Sequence, residues 1–243
     1  MHYIKSNKYF RRYFFSIIGF LNSFFIKFSN ELPTENIIIL GRGESLNVFI
    51  KNHKKFSNIK HLILVNFSKQ DFENIDKNIF KNKIVHISVN INEDIIPFHC
   101  LYKFTFGKVF ISRFKNYKST NIKPDRKNYK ANVYSNRLEY LPEKLKNYWW
   151  VNNSGILAIV YAVYELNIKN IYLFGFDFYQ GNFHNSDLYG GFKTSELAIR
   201  HQIAGKKLIK NLKKIIGEFS QNNFYFPNLE NFNHYNNINV KKI

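Results

Sequence analysis

Two polar side chains, Asp177 and Tyr179, follow a short apolar run at residues 171–174 that Gly175 ends. The run is typical of a strand buried on both faces. In parallel α/β sheets, ligands bind just beyond the carboxyl ends of the strands, so a carboxylate and a phenol at this tip are placed to contact a substrate. The alternative is that Asp177 caps the next turn and Tyr179 is an aromatic side chain at the rim.

A second candidate site is the turn Gly41-Arg42-Gly43, which follows an apolar run at residues 37–40. Ser45 then lies near the start of a helix that we expect to end at about residue 54. A strand, a glycine-rich turn and a helix N-terminus bind anions, because free N–H groups meet the positive end of the helix dipole there. The third glycine of the dinucleotide fingerprint is missing. The turn therefore predicts a nucleotide site, with a plain strand-to-helix turn as the alternative.

Further polar groups follow at other predicted strand and loop positions. Asn66 comes directly after an apolar run at residues 61–65, which again places it at a carboxyl end. The loop at residues 180–195 is rich in Gly, Asn and Ser and carries His184 and Tyr189. Loops of this length beside a site are often lids, so we expect it to close over the substrate.

The elements that must position these residues alternate between strands and helices. Asn153 and Ser154 precede the apolar residues 156–166 as an N-cap precedes a helix. The pattern predicts strands at 37–40, 61–65, 83–89, 104–112, 171–174 and 223–226, and helices after Ser45 and at 71–82, 156–166 and 196–219. The fold class is α/β: a single Rossmann-like nucleotide-binding domain with a mostly parallel sheet flanked by helices.

The two ends of the chain differ from this pattern, so the predicted domain covers residues 35–229 only. Residues 1–34 begin with basic and aromatic side chains, which favours a helix lying on an anionic membrane surface. The alternative is a helix packed on the protein's own body. Residues 230–243 are basic and rich in Asn, and we interpret them as a tail.

The net charge of +19 indicates an anionic partner, and nucleic acid is the usual one for such a charge. The lysines are scattered, however, and no helix-turn-helix, zinc-finger or RNA-binding motif is present, so we expect no nucleic acid. One face of the helix at 196–219 carries four lysines that we expect to be solvated. The single cysteine, Cys100, excludes an internal disulfide and fits a reducing cytoplasm. We expect Trp149 and Trp150 to pack beside the site.

Three separated stretches resemble one family, the bacterial sialyltransferases of glycosyltransferase family 42. The first is IIILGRGESL, which resembles the family's opening strand and GxGxSL turn. The second is NSGILAIVYAVYELNIKNIYLFGFDFYQ, which resembles its SG-led helix and I-Y-L-x-G-x-D-F-Y strand end. The third is a helix led by His201 that ends in NFYFPN. The match covers about residues 36–229, but only the second stretch is specific.

The resemblance implies a metal-independent, inverting transfer of sialic acid from CMP-sialic acid to a glycan hydroxyl. No cofactor is implied beyond the CMP-sugar donor, the fold would be a variant GT-A domain with a lid loop, and a homo-oligomer stays open. The enzyme would be cytoplasmic and peripheral on the inner face of the cell membrane.

The family's functional residues can be carried over where the motifs match. The residues that would line the CMP or its cytidine are Gly41, Gly43, Ser45, Asn66, Asn153, Ser154, Gly155, Gly175, Asp177 and Phe178. Tyr179 would hydrogen-bond the departing phosphate, and His201 would be the general base that deprotonates the acceptor.

The sequence departs from the family in places. Arg42 and Glu44 stand where the family usually has Asn and Pro, and Val151 stands where it has an arginine, which leaves another CMP-activated acidic sugar open as donor. Tyr189 fits a second phosphate-binding tyrosine loosely, and His184 is the alternative base.

Two other functions stay open from the residues alone. A nucleotide-dependent phosphotransferase on the same scaffold would need an acidic cluster that binds Mg²⁺. A protein that binds nucleic acid or a membrane surface would use the positive charge without the strand-end motifs.

Overall fold

The computed structural model of the chain describes residues 26–67, 75–89, 104–111, 138–151, 153–178, 195–232, 235 and 237–243, and for residues 195–202 the helical backbone only. The described strands are β1 Lys27–Phe28, β2 Asn36–Leu40, β3 His61–Val65, β4 Ile84–Val89, β5 Thr105–Ile111, β6 Leu138–Tyr140, β7 Asn170–Phe174, β8 Asn223–Phe226 and β9 Val240–Lys242. The described α-helices are α1 Leu46–Asn52, α2 Ser154–Tyr164 and α3 Ser195–Glu218. Short 3-10 helices cover His53–Phe56, Lys77–Phe80, Glu143–Val151 and Glu230–Phe232.

All nine strands belong to one sheet, and every described pairing is parallel. The strand order is β5-β4-β3-β2-β7-β8-β9, and both β1 and β6 pair with β5. Along this order, the six strands β4-β3-β2-β7-β8-β9 correspond to the order 3-2-1-4-5-6 of the doubly wound α/β fold. The order reverses direction at β2, which lies between β3 and β7. The prediction of an α/β fold with a mostly parallel sheet is confirmed.

Alternating apolar residues of the central strands form two cores, one on each face of the sheet. Ile37 and Ile39 of β2 face α2 and α3, whereas Ile38 and Leu40 face α1. All four side chains are at most 1% exposed. A strand that is apolar at every position is thus explained by helices on both of its faces.

The sheet includes residues on both sides of the expected domain, which covers residues 35–229. Lys27 and Phe28 pair with β5 although they lie in the segment that we expected to stand apart. Val240–Lys242 pairs with β8 and forms one edge of the sheet, although we interpreted these residues as a tail. Edge strands tolerate lysines that a central strand would exclude, which explains why this strand has no apolar pattern.

The remaining differences concern element type and length. The helix expected at residues 71–82 is, within the described residues, only the 3-10 turn Lys77–Phe80. The helix after Ser45 ends at Asn52 and continues as a 3-10 turn to Phe56. No helix in the described part of the chain is long and apolar enough to cross a membrane.

Two buried histidines stack near the amino ends of β3 and β4. His86 lies 1% exposed in β4, as the sheet residue that the sequence predicts, and its Nδ1 accepts a hydrogen bond from the Lys108 backbone N–H at 3.0 Å. His86 Nε2 therefore carries its proton and donates to His61 Nδ1 at 3.1 Å. Burial, with the nearby charges of His61 and Lys108, lowers the pKa of His86 to about 3. Burial also lowers the pKa of His61, whose Nε2 lies 3.8 Å from a carboxylate oxygen of Glu31.

Candidate functional site

The two glycine-containing turns meet at the carboxyl edge of the sheet, where the strand order reverses. The turn Gly41-Arg42-Gly43 follows β2, and the turn at residues 175–177 follows β7. The strands β2 and β7 are paired. In doubly wound sheets the crevice at this reversal is the usual ligand site. Two motifs about 130 residues apart in the sequence are thereby brought into contact.

Four hydrogen bonds join the two turns. The Gly41 N–H donates to the Phe174 carbonyl at 2.7 Å and the Gly43 N–H donates to the Gly175 carbonyl at 3.0 Å. The Gly175 N–H donates to Ser45 Oγ at 2.8 Å. The Ser45 N–H donates to Asp177 Oδ2, also at 2.8 Å. Ser45 therefore binds the β7 turn through both its side chain and its backbone.

Two of the glycines are required by this close approach. A Cβ on Gly43 would lie 2.1 Å from Asp177 Oδ2, and so would collide with the carboxylate that Ser45 binds. Gly175 has φ +75°, in the left-handed region, and a Cβ there would lie 2.4 Å from the Gly41 carbonyl oxygen. The glycines thus allow the two backbones to touch.

The anion at the start of α1 is the protein's own carboxylate. The Ser45 N–H donates to Asp177 Oδ2. Asp177 therefore places a negative charge at the start of α1 from across the two turns. Arg42, at 9% exposed, is buried within the same turn.

The start of α2 lies beside the β7 turn. Asn153 caps the helix, since its Oδ1 accepts a hydrogen bond from the Ile156 N–H at 3.0 Å, as the sequence predicts. Ser154 is half-buried, and a Cβ on Gly155 would lie 2.8 Å from a ring carbon of Phe176. Phe176 therefore packs against the first turn of α2. Because α2 has eleven residues, its N-terminus carries a full helix dipole beside the site.

Phe178 adopts a strained backbone conformation at this tip. Its φ of 50° lies in the left-handed region, which is uncommon for a bulky residue. Its ring is 8% exposed and joins the core beneath α2 and α3. Backbone strain of this kind is maintained only where the surrounding packing fixes it, and it occurs often at binding sites.

A cavity of about 830 Å³ opens beside these turns. Its walls come from α1 and from the carboxyl ends of β7 and β8, and they include Glu44, Ser45, Asn47, Val48, Lys51, Asn52, Leu173, Phe176, Asp177, Phe226, Pro227, Asn228, Glu230 and Phe232. Cavities of this volume hold ligands of nucleotide size. Three aromatic rings and three carboxylates line the same space.

The charges in this cavity select one kind of ligand group. Among the described lining residues, Glu44, Asp177 and Glu230 supply carboxylates and Lys51 is the one lysine. Carboxylates accept hydrogen bonds from hydroxyl and amino groups and repel phosphate. The cavity is therefore suited to the neutral, hydroxyl-bearing part of a ligand, with the aromatic rings available to stack on a planar group.

The other predicted site residues are placed as follows. Asn66 ends β3 with φ 55°, and its N–H donates to the Ser88 carbonyl at 2.9 Å, but it does not line the cavity. His201 belongs to α3, and the structure describes only its backbone. Tyr179, His184 and Tyr189 lie outside the described residues, as does the expected lid loop.

Neither residue of the tryptophan pair is among the described residues that line the cavity. Trp149 is 57% exposed, and the Trp150 ring lies under Lys214 of α3, 4.3 Å from Nζ to ring centroid. Sequence reasoning also missed Lys51 and Glu230 as lining residues. Glu230 could have been found, because it follows β8 by a few residues and the carboxyl ends of parallel strands share one edge.

Within the described residues, no group of three His, Cys, Asp or Glu side chains is arranged to hold a metal ion. Comparison of the chain with family models, with curated proteins and with solved structures finds no match.

Proposed function

We propose that the chain is a glycosyltransferase that moves sialic acid, or a related acidic sugar, from a CMP-sugar to a glycan hydroxyl with inversion. The observation that carries the proposal is the contact between the Gly41–Gly43 turn and the Gly175–Asp177 turn beside a cavity of about 830 Å³. These are the two motifs that resemble the bacterial sialyltransferases of family 42. Their meeting at the reversal of strand order supports a shared nucleotide site of the variant GT-A type.

The cavity would take the cytidine. Ribose hydroxyls and the cytosine amino group are hydrogen-bond donors that match the carboxylates of Glu44, Asp177 and Glu230. The ring of Phe176 offers a surface on which the base can stack. Asp177 binds Ser45 through Oδ2, which leaves Oδ1 to accept from the ligand. Asp177 would thus bind both the Ser45 N–H and the nucleoside.

The phosphate and the acidic sugar would lie towards the start of α2. Three carboxylates make the cavity unfavourable for phosphate, whereas the N-terminus of α2 attracts an anion. Phe176 contacts both the cavity and the first turn of α2, so the two regions adjoin. Ser154, at that first turn, and Tyr179 would donate hydrogen bonds to the departing phosphate without a metal ion.

His201 is our proposed general base. Tyr189 and the lid loop would close over the donor. His201 comes six residues after the first residue of α3, which is about 9 Å of helix, and α3 itself follows the loop that leaves β7. A crossover of this kind would place His201 near the carboxyl edge of the sheet. A neutral imidazole is suited to deprotonate a hydroxyl near neutral pH.

We further propose a cytoplasmic, peripheral membrane location that uses residues 1–34.

The deciding experiment measures the Tm of the full chain with CMP in the presence of EDTA. A CMP concentration of about 100 times Kd adds roughly 2.7 kcal/mol to stability, which raises Tm by roughly 5–10 °C for a chain of this size. AMP and UMP are the comparison ligands, and Asp177→Asn is expected to remove the CMP effect. A folded protein whose Tm does not respond to CMP would contradict the proposal.

Turnover of CMP-sialic acid then separates the two candidate bases. His201→Ala is expected to lose turnover and to keep the CMP-dependent rise in Tm. If His184→Ala has that effect instead, the base lies in the loop before α3.

A further inference from the structure

The outward face of α3 carries a stripe of lysines. Ile203, Lys207, Lys210 and Lys214 follow one another at spacings of four, three and four residues, which places them along one line of the helix over about three turns. All four side chains are exposed, and Ile203 is 65% exposed. The opposite face of the helix is buried in the core. No acidic residue occurs between residues 203 and 217.

The stripe continues onto the 3-10 helix Glu143–Val151 through its two tryptophans. Lys214 Nζ lies over the Trp150 ring at 4.3 Å from the centroid. Trp149, the next residue along, is 57% exposed. We call the set Trp149, Trp150, Ile203, Lys207, Lys210 and Lys214 the lysine–tryptophan surface.

Among the described residues, the acidic side chains beside this surface do not cancel its charge. Glu143 is paired with Lys146 at 2.5 Å, and Glu165 is paired with Lys144 at 2.8 Å. Glu218 stands at the end of α3, one turn beyond Lys214. The lysines of the stripe therefore face solvent as net positive charge, and the +19 charge of the chain strengthens their attraction to an anionic surface.

The combination of side chains identifies the partner chemistry. Tryptophan is enriched where lipid headgroups meet acyl chains, because its ring is apolar and its N–H is polar. Lysines beside it can extend their ammonium groups to lipid phosphates while their stems remain in apolar surroundings. Nucleic acid would attract the lysines but would gain nothing from an exposed isoleucine within the stripe.

We propose that the lysine–tryptophan surface docks the protein on an anionic lipid bilayer. Trp149 and Ile203 enter the boundary between headgroups and acyl chains, and the lysines contact the headgroup phosphates. The proposal does not depend on the CMP-sugar reaction, and it is separate from the membrane role expected for residues 1–34.

The chain contains a built-in reporter for this contact. It has two tryptophans, and both lie in the proposed surface. Intrinsic tryptophan emission of the full chain is therefore measured with vesicles of phosphatidylcholine, with and without phosphatidylglycerol. We expect a blue shift with the anionic vesicles only. Brominated acyl chains in those vesicles should quench the emission, because Trp149 enters the boundary with the acyl chains.

Two charge-matched variants separate this surface from general attraction. The test variant replaces Lys207, Lys210 and Lys214 with Gln, and the control replaces Lys54, Lys55 and Lys81, which are exposed elsewhere on the protein. Both changes remove the same charge. Each lysine near an anionic surface contributes about fivefold in partitioning, so the test variant should bind on the order of 100-fold more weakly. The control should change binding by a few-fold at most.

Three outcomes would overturn the proposal. In the first, anionic vesicles bind the protein but leave tryptophan emission unchanged, which would assign binding to another part of the chain. In the second, the two variants weaken vesicle binding equally. In the third, a single-stranded oligonucleotide shifts the emission whereas anionic vesicles do not, which would assign the surface to nucleic acid.

Discussion

At the residue scale, the candidate site depends on Asp177, Ser45 and the space left by Gly43. A carboxylate at the start of a helix is favourable in itself, since it accepts from a backbone N–H and meets the positive end of the dipole. Here that carboxylate comes from a distant turn, so one side chain both joins β7 to α1 and faces the cavity. A residue with both tasks makes binding and stability interdependent.

Gly43→Ala tests this dependence. The new Cβ would lie 2.1 Å from Asp177 Oδ2 and 2.9 Å from the Gly175 carbonyl oxygen, so the turn must move and the Ser45–Asp177 hydrogen bond must break. We expect a loss of about 2–4 kcal/mol in stability and loss of the CMP-dependent rise in Tm. Thermal unfolding with and without CMP measures both.

Gly217→Ala is the matched control for that change. Its Cβ would lie 3.7 Å from the Tyr235 hydroxyl oxygen, which is ordinary contact, and alanine favours a helix. Stability should rise by up to about 1 kcal/mol with the CMP response retained. If both variants kept the CMP response, the Gly43 turn would not belong to the site.

At the element scale, the strand β9 completes the sheet beside the cavity. It pairs with β8, whose carboxyl end supplies Phe226 to the cavity wall. The Ile243 N–H donates to the Phe226 carbonyl at 3.0 Å, so the last residue of the chain helps to position that wall. A strand of three residues can thus affect a site that it does not touch.

Deletion of residues 240–243 should therefore lower stability. The loss of three or four backbone hydrogen bonds, at about 1 kcal/mol each, predicts a fall in Tm of roughly 6–16 °C. A variant with Lys241 and Lys242 replaced by Gln retains the backbone and serves as the control for charge. An unchanged Tm after the deletion would mean that β9 does not hold the sheet edge.

At the scale of the whole molecule, the sequence predicted the sheet better than it predicted the site. Continuous apolar runs such as residues 37–40 identify buried strands because helices cover both faces, and Asn153 identifies a helix start because its cap is local. The strand Val240–Lys242 could not be predicted, since an edge strand has no need of apolar alternation. The contact between Ser45 and Asp177 could not be predicted either, because it joins residues 132 positions apart and depends on strand order.

Stability as a whole should depend on pH through His86. Its pKa is lowered to about 3 in the folded protein, against an ordinary value of 6.5, because burial disfavours the charged ring. The unfolded chain thus binds more protons between pH 6.5 and 3, so stability falls as pH falls through this window. Between pH 7.5 and pH 5, the lowered pKa of His86 alone should reduce the free energy of unfolding by about 2 kcal/mol.

Thermal unfolding of the wild type and of His86→Gln across that range measures this effect. Glutamine cannot take up a proton, so the variant should have a shallower dependence of Tm on pH even though its packing makes it less stable at pH 7.5. The dependence of Tm on pH that remains in the variant would contain the contribution of His61, because burial also lowers the pKa of His61. An equal slope in both proteins would contradict the assignment.

The position of β9 also affects how the protein is made. Because β9 follows β8 in the sequence, the edge of β8 cannot be covered during synthesis until the ribosome has added residues 240–242. An uncovered parallel edge is a template for pairing with other chains. Chains that lack β9 should therefore aggregate more readily than chains that contain it.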